Sequence, residues 1–325
     1  MLRARLTEGE IRRTIDADGD GDRTIDGITT LETVEDRSLF FVNMNVPDAM
    51  RASLASKRGC ISIARKGFTL DSDCIVIESD DPRAAISKIL TLLRNENRVQ
   101  PLVAARAIAA SAIISPLAVI EGNVEIGEDV LIEPFCVIGP DVRIGRGAII
   151  RSGVRIHPRV TIGEGSIVHA NSVIGHDGYG FVRNHEGNKT RIPHLGGVEI
   201  GAHVALGPLA SVAAGTIIPT VVEDHAKLGD YVCVGHNARV GRNVSLTAQI
   251  ILGGHSIVEH ETWVGLNATI GEGRRVGAHS LVGMDVSVQA DLPEHTIARA
   301  PRPEVESRPD DDDLRAIGFS GRKLQ

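Results

Sequence analysis

Residues 119–175 read VIEGNVEIGEDVLIEPFCVIGPDVRIGRGAIIRSGVRIHPRVTIGEGSIVHANSVIG. Every sixth residue is a β-branched aliphatic: Ile120, Ile126, Ile132, Ile138, Ile144, Ile150, Ile156, Ile162, Val168 and Ile174. Glycine follows in five of these ten (Gly127, Gly139, Gly145, Gly163, Gly175). A helix cannot use this spacing, because six residues advance it by about 600° and the aliphatics would spiral around it. Glycine and valine are also poor helix formers. Short strands separated by tight turns fit: the aliphatic points inward, and the small residue after it lets the chain turn.

The pattern continues outward from this stretch. It breaks after Ile174 and resumes at Ile200, Leu206, Val212 and Ile218. It slips once more, then runs from Leu228 through Val234, Val240, Leu246, Leu252, Val258, Val264, Ile270, Val276 and Val282 to Val288, giving 25 hexads in all. This repeat resembles the hexapeptide-repeat family, whose coils form a left-handed parallel β-helix and whose members are mostly acyltransferases. In that family three hexads make one triangular coil, which implies roughly eight coils here. Between Ile174 and Ile200 the chain carries HDGYGFVRNHEGNKTRIPHLGG, residues 176–197, which reads as a loop thrown out from a coil. Long loops on rigid scaffolds usually carry function. The slip before Leu228 predicts a smaller outward bulge.

The rest of the composition agrees with stacked repeats. Only 9 of 325 residues are aromatic (6 Phe, 2 Tyr, 1 Trp), so aliphatics must fill the core. A net charge of −7 argues against broad nucleic-acid binding, which needs a basic surface. No apolar run is long enough to span a membrane, and MLRARLTEGEIRR at the start is too charged for a signal peptide. The four cysteines (Cys60, Cys74, Cys136, Cys233) lie far apart and form no CxxC, so a disulfide framework or zinc knuckle is not expected and a cytoplasmic location is. Residues 1–100 lack the hexad and read as a small α/β domain, which the resemblance described next implies to be nucleotide-binding-like. SLFFVNM, GCISIA and DCIVIES are its strands, and DPRAAISKILTLLRNE is a helix with an Asp-Pro start. Residues 101–117 read as a linker, 118–291 as the left-handed parallel β-helix with its insertion at 176–197, and 292–325 as an exposed tail with an Asp310–Asp313 run.

The segments GITTLETVEDRSLFFVN, VIGHDGYGF, RIPHLGGVEIG and VCVGHNARVG resemble the UDP-3-O-(3-hydroxyacyl)glucosamine N-acyltransferase family of lipid A biosynthesis over roughly residues 20–290. The resemblance implies a homotrimer that moves an acyl chain from acyl carrier protein, or an acyl-CoA, to the amine of a nucleotide sugar. No cofactor beyond that acyl-thioester co-substrate is implied, and no metal. The family's catalytic base falls at His236. A neutral imidazole can accept the proton that a thioester-attacking amine must lose. His255, 19 residues on, is expected on the adjacent coil of the same face as a second catalytic histidine. The expected substrate contacts are Phe40 stacked on uracil, Asn43 on its edge, Tyr179 near the sugar or pyrophosphate, and His194 and Asn237.

Four features depart from the family pattern. Gly273 stands where a second histidine is usual, and SVAAG at 211–215 replaces T-I-D-R-G. Val46 replaces a stacking tyrosine, and the carrier-docking C-terminal helices are expected to be absent. An acetyl-CoA-dependent sugar N- or O-acetyltransferase shares the fold and the base, so it is the alternative function. A gamma-carbonic-anhydrase-like metalloenzyme, using the His255/His260 pair, and a non-catalytic trimer are the others.

Overall fold

The computed structural model describes residues 1–43, 46–70, 72–184 and 186–301. The Asp310–Asp313 run and the tail beyond residue 301 lie outside the described residues.

The N-terminal domain is an α/β unit. Its elements are β1 (Leu2–Thr7), α1 (Glu8–Thr14), β2 (Thr24–Ile28), β3 (Ser38–Val42), α2 (Asp48–Ala55), β4 (Ile61–Ala64), β5 (Ile75–Glu78) and α3 (Pro82–Asn95). The strands form one sheet in sequence order. β1 runs antiparallel to β2, and the others are parallel. Asp81 caps α3, its carboxylate accepting the Arg83 and Ala84 N–H groups at 3.0 Å, and Pro82 occupies the first turn, where no N–H is needed. The apolar face of α3 (Ile86, Ile89, Leu90, Leu93) is buried with Leu39, Ile61 and Ile63 of the sheet.

The hexads build a left-handed parallel β-helix with three sheets of ten, nine and nine strands. Leu131 pairs with Ile149 and Val137 with Arg155, so each rung sits on the rung 18 residues away. The predicted aliphatic column is buried: Ile132, Ile138 and Ile150 are fully inside, and Ile144 nearly so. That is nine to ten coils, more than the hexad count gave. The ladder begins at Ala107–Ile108, inside the predicted linker, because Ile108 and Ile114 are already in phase with Ile120. It also runs past 291, where Ile297–Ala298 pairs with Leu281–Val282.

Two further expectations change. Ile218 is not in the aliphatic column. Val222 takes that place, paired with Ile200 and Val240, because residues 213–219 make a detour before the ladder resumes. The 176–197 insertion is not simply thrown outward. It forms a hairpin, Phe181–Arg183 with Lys189–Arg191, and then returns along the N-terminal domain. Ile192 and Leu195 from the insertion and Ile217 from the detour are buried in the N-terminal core. Arg159 ties the same junction, with Nη1 donating to the Gln100 carbonyl (2.9 Å) and to Asp141 (3.1 Å). The two parts of the chain are therefore joined beside the histidines described next.

Candidate active site

His236 lies on an edge of the prism, between the rungs Cys233–Val234 and Arg239–Val240. Val234 points into the core; two residues later the His236 side chain leaves the coil at the turn, where its neighbours leave it only 9% exposed. Asn237 makes the turn in the left-handed region (φ 58°), which asparagine tolerates. Its side chain is fully engaged. Oδ1 accepts from the Thr216 N–H (3.1 Å) and hydroxyl (2.9 Å), and Nδ2 donates to the Ile218 carbonyl (3.2 Å). His236 Nδ1 stands 3.3 Å from the same Oδ1. An amide oxygen only accepts, so this network assigns the proton to Nδ1 and leaves the Nε2 lone pair free. Asn237, expected to touch substrate, thus spends its amide within the chain and orients the His236 ring.

Glycines make room for the ring. A Cβ at Gly254 would stand 2.7 Å from Nε2, and one at Gly178 would stand 2.7 Å from the His236 Cβ. Any larger side chain at either position displaces the imidazole. Among the described residues, no hydrogen bond engages the Gly254 N–H.

His236 is flanked by two more imidazoles. His255 takes the equivalent left-handed corner one coil on (φ 59°), its ring centroid 5.1 Å away and its N–H donating to the His236 carbonyl. Its ring keeps a solvent-exposed edge, yet the protein around it and then His236 lower its pKa. His194 packs on the other side at 5.0 Å. It is buried, with a side chain only 1% exposed, so it stands behind His236 and is not the substrate contact expected. Burial first, and His236 second, push its imidazole down to about 4.

That depression has a measurable consequence. Unfolded histidine titrates near 6.5, so below that pH the unfolded chain binds a proton that the folded chain refuses. Stability therefore falls as pH drops from about 6.5 toward 4. His194→Gln is expected to flatten the fall in melting temperature between about pH 6.5 and 5. The same slope in both proteins would contradict this placement of His194.

The other predicted contacts divide. Phe40 is fully buried with Val42, Val46, Leu54 and Cys60, so its ring is not available to stack on a base. The reason is its position: β3 is the central strand and is covered on both faces. Asn43 is exposed, as the expected contact needs. It lines a cavity of about 490 Å³ with Val42, Arg51, Arg65, Lys66, Gly67 and Phe68. The Arg51 guanidinium lies 5.2 Å over the Phe68 ring. Three cations and an aromatic at one mouth suit a nucleoside diphosphate. None of the four was singled out in the sequence: Arg65, Lys66 and Phe68 share only the short RKGF run, and Arg51 stands apart in α2. Tyr179 is 81% exposed and packs edge-on against Phe181 at 5.0 Å. His260 lies on a different edge from His255, against His279, so the proposed metal-binding pair is not brought together.

Comparisons with known proteins bear on the family and the fold. A model described as bacterial transferase hexapeptide (six repeats) matches residues 123–158 and 141–176. A protein of Bradyrhizobium sp. (strain BTAi1 / ATCC BAA-1182) named UDP-3-O-acylglucosamine N-acyltransferase is 35% identical over 244 residues, 71% of this chain and 68% of the relative. The chain belongs to the UDP-3-O-acylglucosamine N-acyltransferase family. It is therefore a member of a transferase family. The match to UDP-3-O-acylglucosamine N-acyltransferase 2 of Legionella pneumophila (strain Lens), 41% identical over 81 residues, takes in 25% of this chain and 23% of that relative. Some family members thus match this chain over about a quarter of their length. Among solved structures, the UDP-N-acetylglucosamine acyltransferase of Campylobacter jejuni superimposes with a TM-score of 0.52 at 25% identity, over 63% of this chain and 81% of that one.

Proposed function

We propose that this chain transfers an acyl group from a thioester to the amine of a nucleotide-linked amino sugar, with His236 as general base. The observation that carries the reading is the His236 imidazole itself: Nδ1 is tied to Asn237, and the Nε2 lone pair lies on an edge of the prism. The amine nitrogen attacks the thioester carbonyl carbon and gives its proton to Nε2. The carbon–sulfur bond then breaks, and the departing thiolate takes that proton from the imidazolium. The Gly254 N–H, which has no hydrogen-bond partner among the described residues and belongs to a residue packed beside the His236 ring, is the candidate donor to the developing oxyanion. His255 holds a substrate oxygen or serves in place of the second histidine, since Gly273 beyond it leaves open space.

The names of the relatives support a UDP-linked glucosamine acceptor. The basic cavity beside Asn43 supports the diphosphate. Replacing Arg51 or Arg65 by alanine is expected to raise the Kd for UDP-N-acetylglucosamine about tenfold, the value of one lost charge-assisted hydrogen bond. Calorimetry with a non-uridine nucleotide sugar is the control. Equal binding of both sugars by wild type, or by the variants and wild type, would remove the nucleotide-sugar reading.

Exposed apolar side chains support two further parts of the reading. Leu117 and Phe135, and farther along the same edge beyond Gly153 and Asn171, Leu209 and Tyr231, expose apolar side chains at successive corners, which suits packing of three copies into a homotrimer. Ile251, Leu266 and Met284 are exposed on the later coils, which suits a long acyl chain. The reading therefore takes acyl carrier protein as the donor and the cytoplasm as the location. Assaying the purified protein with long-chain carrier-protein thioesters and with acetyl-CoA tests the donor. N-acylated UDP-glucosamine product from the carrier protein is expected. A saturating rate with acetyl-CoA and none with the long chain would transfer the assignment to a sugar acetyltransferase.

A further inference from the structure

Asp177, in the insertion, sits at the meeting point of the two parts of the molecule. Arg94 at the end of α3 grips both of its oxygens, Nη2 to Oδ1 at 2.7 Å and Nη1 to Oδ2 at 2.9 Å. This ion pair joins residues 83 apart in the chain. Burial works against the carboxylate, but the Arg94 hydrogen bonds and charge hold its pKa below the usual range. Oδ1 also accepts the His194 backbone N–H at 3.2 Å. The same oxygen faces the His194 ring, 4.0 Å from Nδ1. Nδ1 is buried and has no hydrogen-bond partner, which a native fold rarely leaves without a reason. On its far side the His194 ring packs against His236.

We propose that Asp177, clamped by Arg94 of α3, is a positioning residue: it fixes His194 behind His236 and through that ring sets the proton affinity of the base. This rests on His236 being the base. The carboxylate favours the His194 tautomer with its N–H on Nδ1, turned toward Oδ1. The orphaned nitrogen then needs a shift of about 1 Å to reach hydrogen-bond distance. When His236 accepts a proton, the charged groups on this side are the Asp177 carboxylate, the Arg94 cation and Arg191, whose Nη1 donates to the carbonyl of Gly178 beside the ring. On the other side His255 faces it, with Glu272, Glu32 and Arg83 beyond. Because the clamp comes from the N-terminal domain, that domain influences the base as well as carrying the nucleotide cavity.

The two partners of the clamp give effects of opposite sign. Asp177→Asn removes the anion and leaves Arg94 unpaired, so an imidazolium at His236 is destabilised. The acid limb of kcat is expected to move to lower pH, by roughly half a unit or more. Arg94→Met leaves the carboxylate unpaired, and the limb is expected to move to higher pH. Arg94→Lys, which keeps the charge, restores most of the wild-type profile. In both Asp177→Asn and Arg94→Met, kcat at its plateau falls roughly tenfold while KM for the acceptor changes little.

Titration of the His236 ring by NMR in the assembled, histidine-labelled protein reads the same shifts without turnover. Its signal is identified by loss in His236→Gln. Opposite shifts in the two variants support the proposal. Titrations that coincide with wild type, or that move the same way in both variants, overturn it and leave the clamp a structural tie. The base reading fails separately, by a His236 variant that keeps its kcat.

Discussion

Replacing His236 by alanine is expected to lower kcat by about 10²–10⁴, the usual contribution of a positioned general base. Folding should be unaffected. The side chain leaves the coil at a turn, and the core of that coil is made by Val232, Val234, Ala238 and Val240. The Asn237 hydrogen bonds to Thr216 and Ile218 remain in the variant and hold the corner. The loss belongs in the chemical step, so KM for the nucleotide sugar should change little. In the wild type, activity should fall at acid pH, since a protonated imidazole cannot accept the amine proton. His255→Ala separates the second histidine's two roles. A raised KM alone means that it holds substrate, and a lowered kcat means that it acts on the transition state. A His236→Ala enzyme with near-normal kcat on a verified substrate would leave the catalytic assignment without support.

The second large effect is on stability. Ile144 is 2% exposed and stacks in the aliphatic column on Ile126 and Ile162. Ile144→Asp places an unpaired carboxylate inside a narrow prism with no donor to meet it, at a cost on the order of 4 kcal/mol or more. Each coil rests on its neighbours, so the break propagates along the solenoid. We expect the variant to be insoluble or to lose cooperative unfolding. Ile144→Val removes one methylene and should cost about 1 kcal/mol, which separates the buried charge from a simple packing defect. Denaturant titration of both variants decides the point. An Asp variant with a wild-type midpoint would contradict the position assigned to Ile144.

How much of this was legible depended on the kind of signal. The hexad was legible from Ile120 to Val288 because one inward aliphatic per six residues leaves the same mark in successive coils. The detour at 213–219 was misplaced because Ile218 kept the expected phase while the chain had already left the column. Strand β1 was missed because Arg3 and Arg5 made the N-terminus look uniformly charged. In the fold they alternate with the buried Leu2, Ala4 and Leu6 at a period of two. Phe40 was read as a stacking ring from the resemblance, but only the sheet order reveals that its strand is central.

In the candidate site, single residues were more legible than pairs. His236 stood out by motif, and His255 by its distance of about one coil. The Arg94–Asp177 clamp joins a helix end to an insertion 83 residues later, and no local pattern announces such a pair. The same holds for Arg51 of α2, which meets Arg65 and Phe68 of the turn after β4 at one cavity.

The most direct measurement is a crystal structure of the assembled protein with its nucleotide-linked amino sugar. The account predicts the acceptor amine within about 3 Å of His236 Nε2, with the diphosphate against the cations beside Asn43. An amine bound out of reach of both His236 and His255, in a complex that turns over in the crystal, would contradict it.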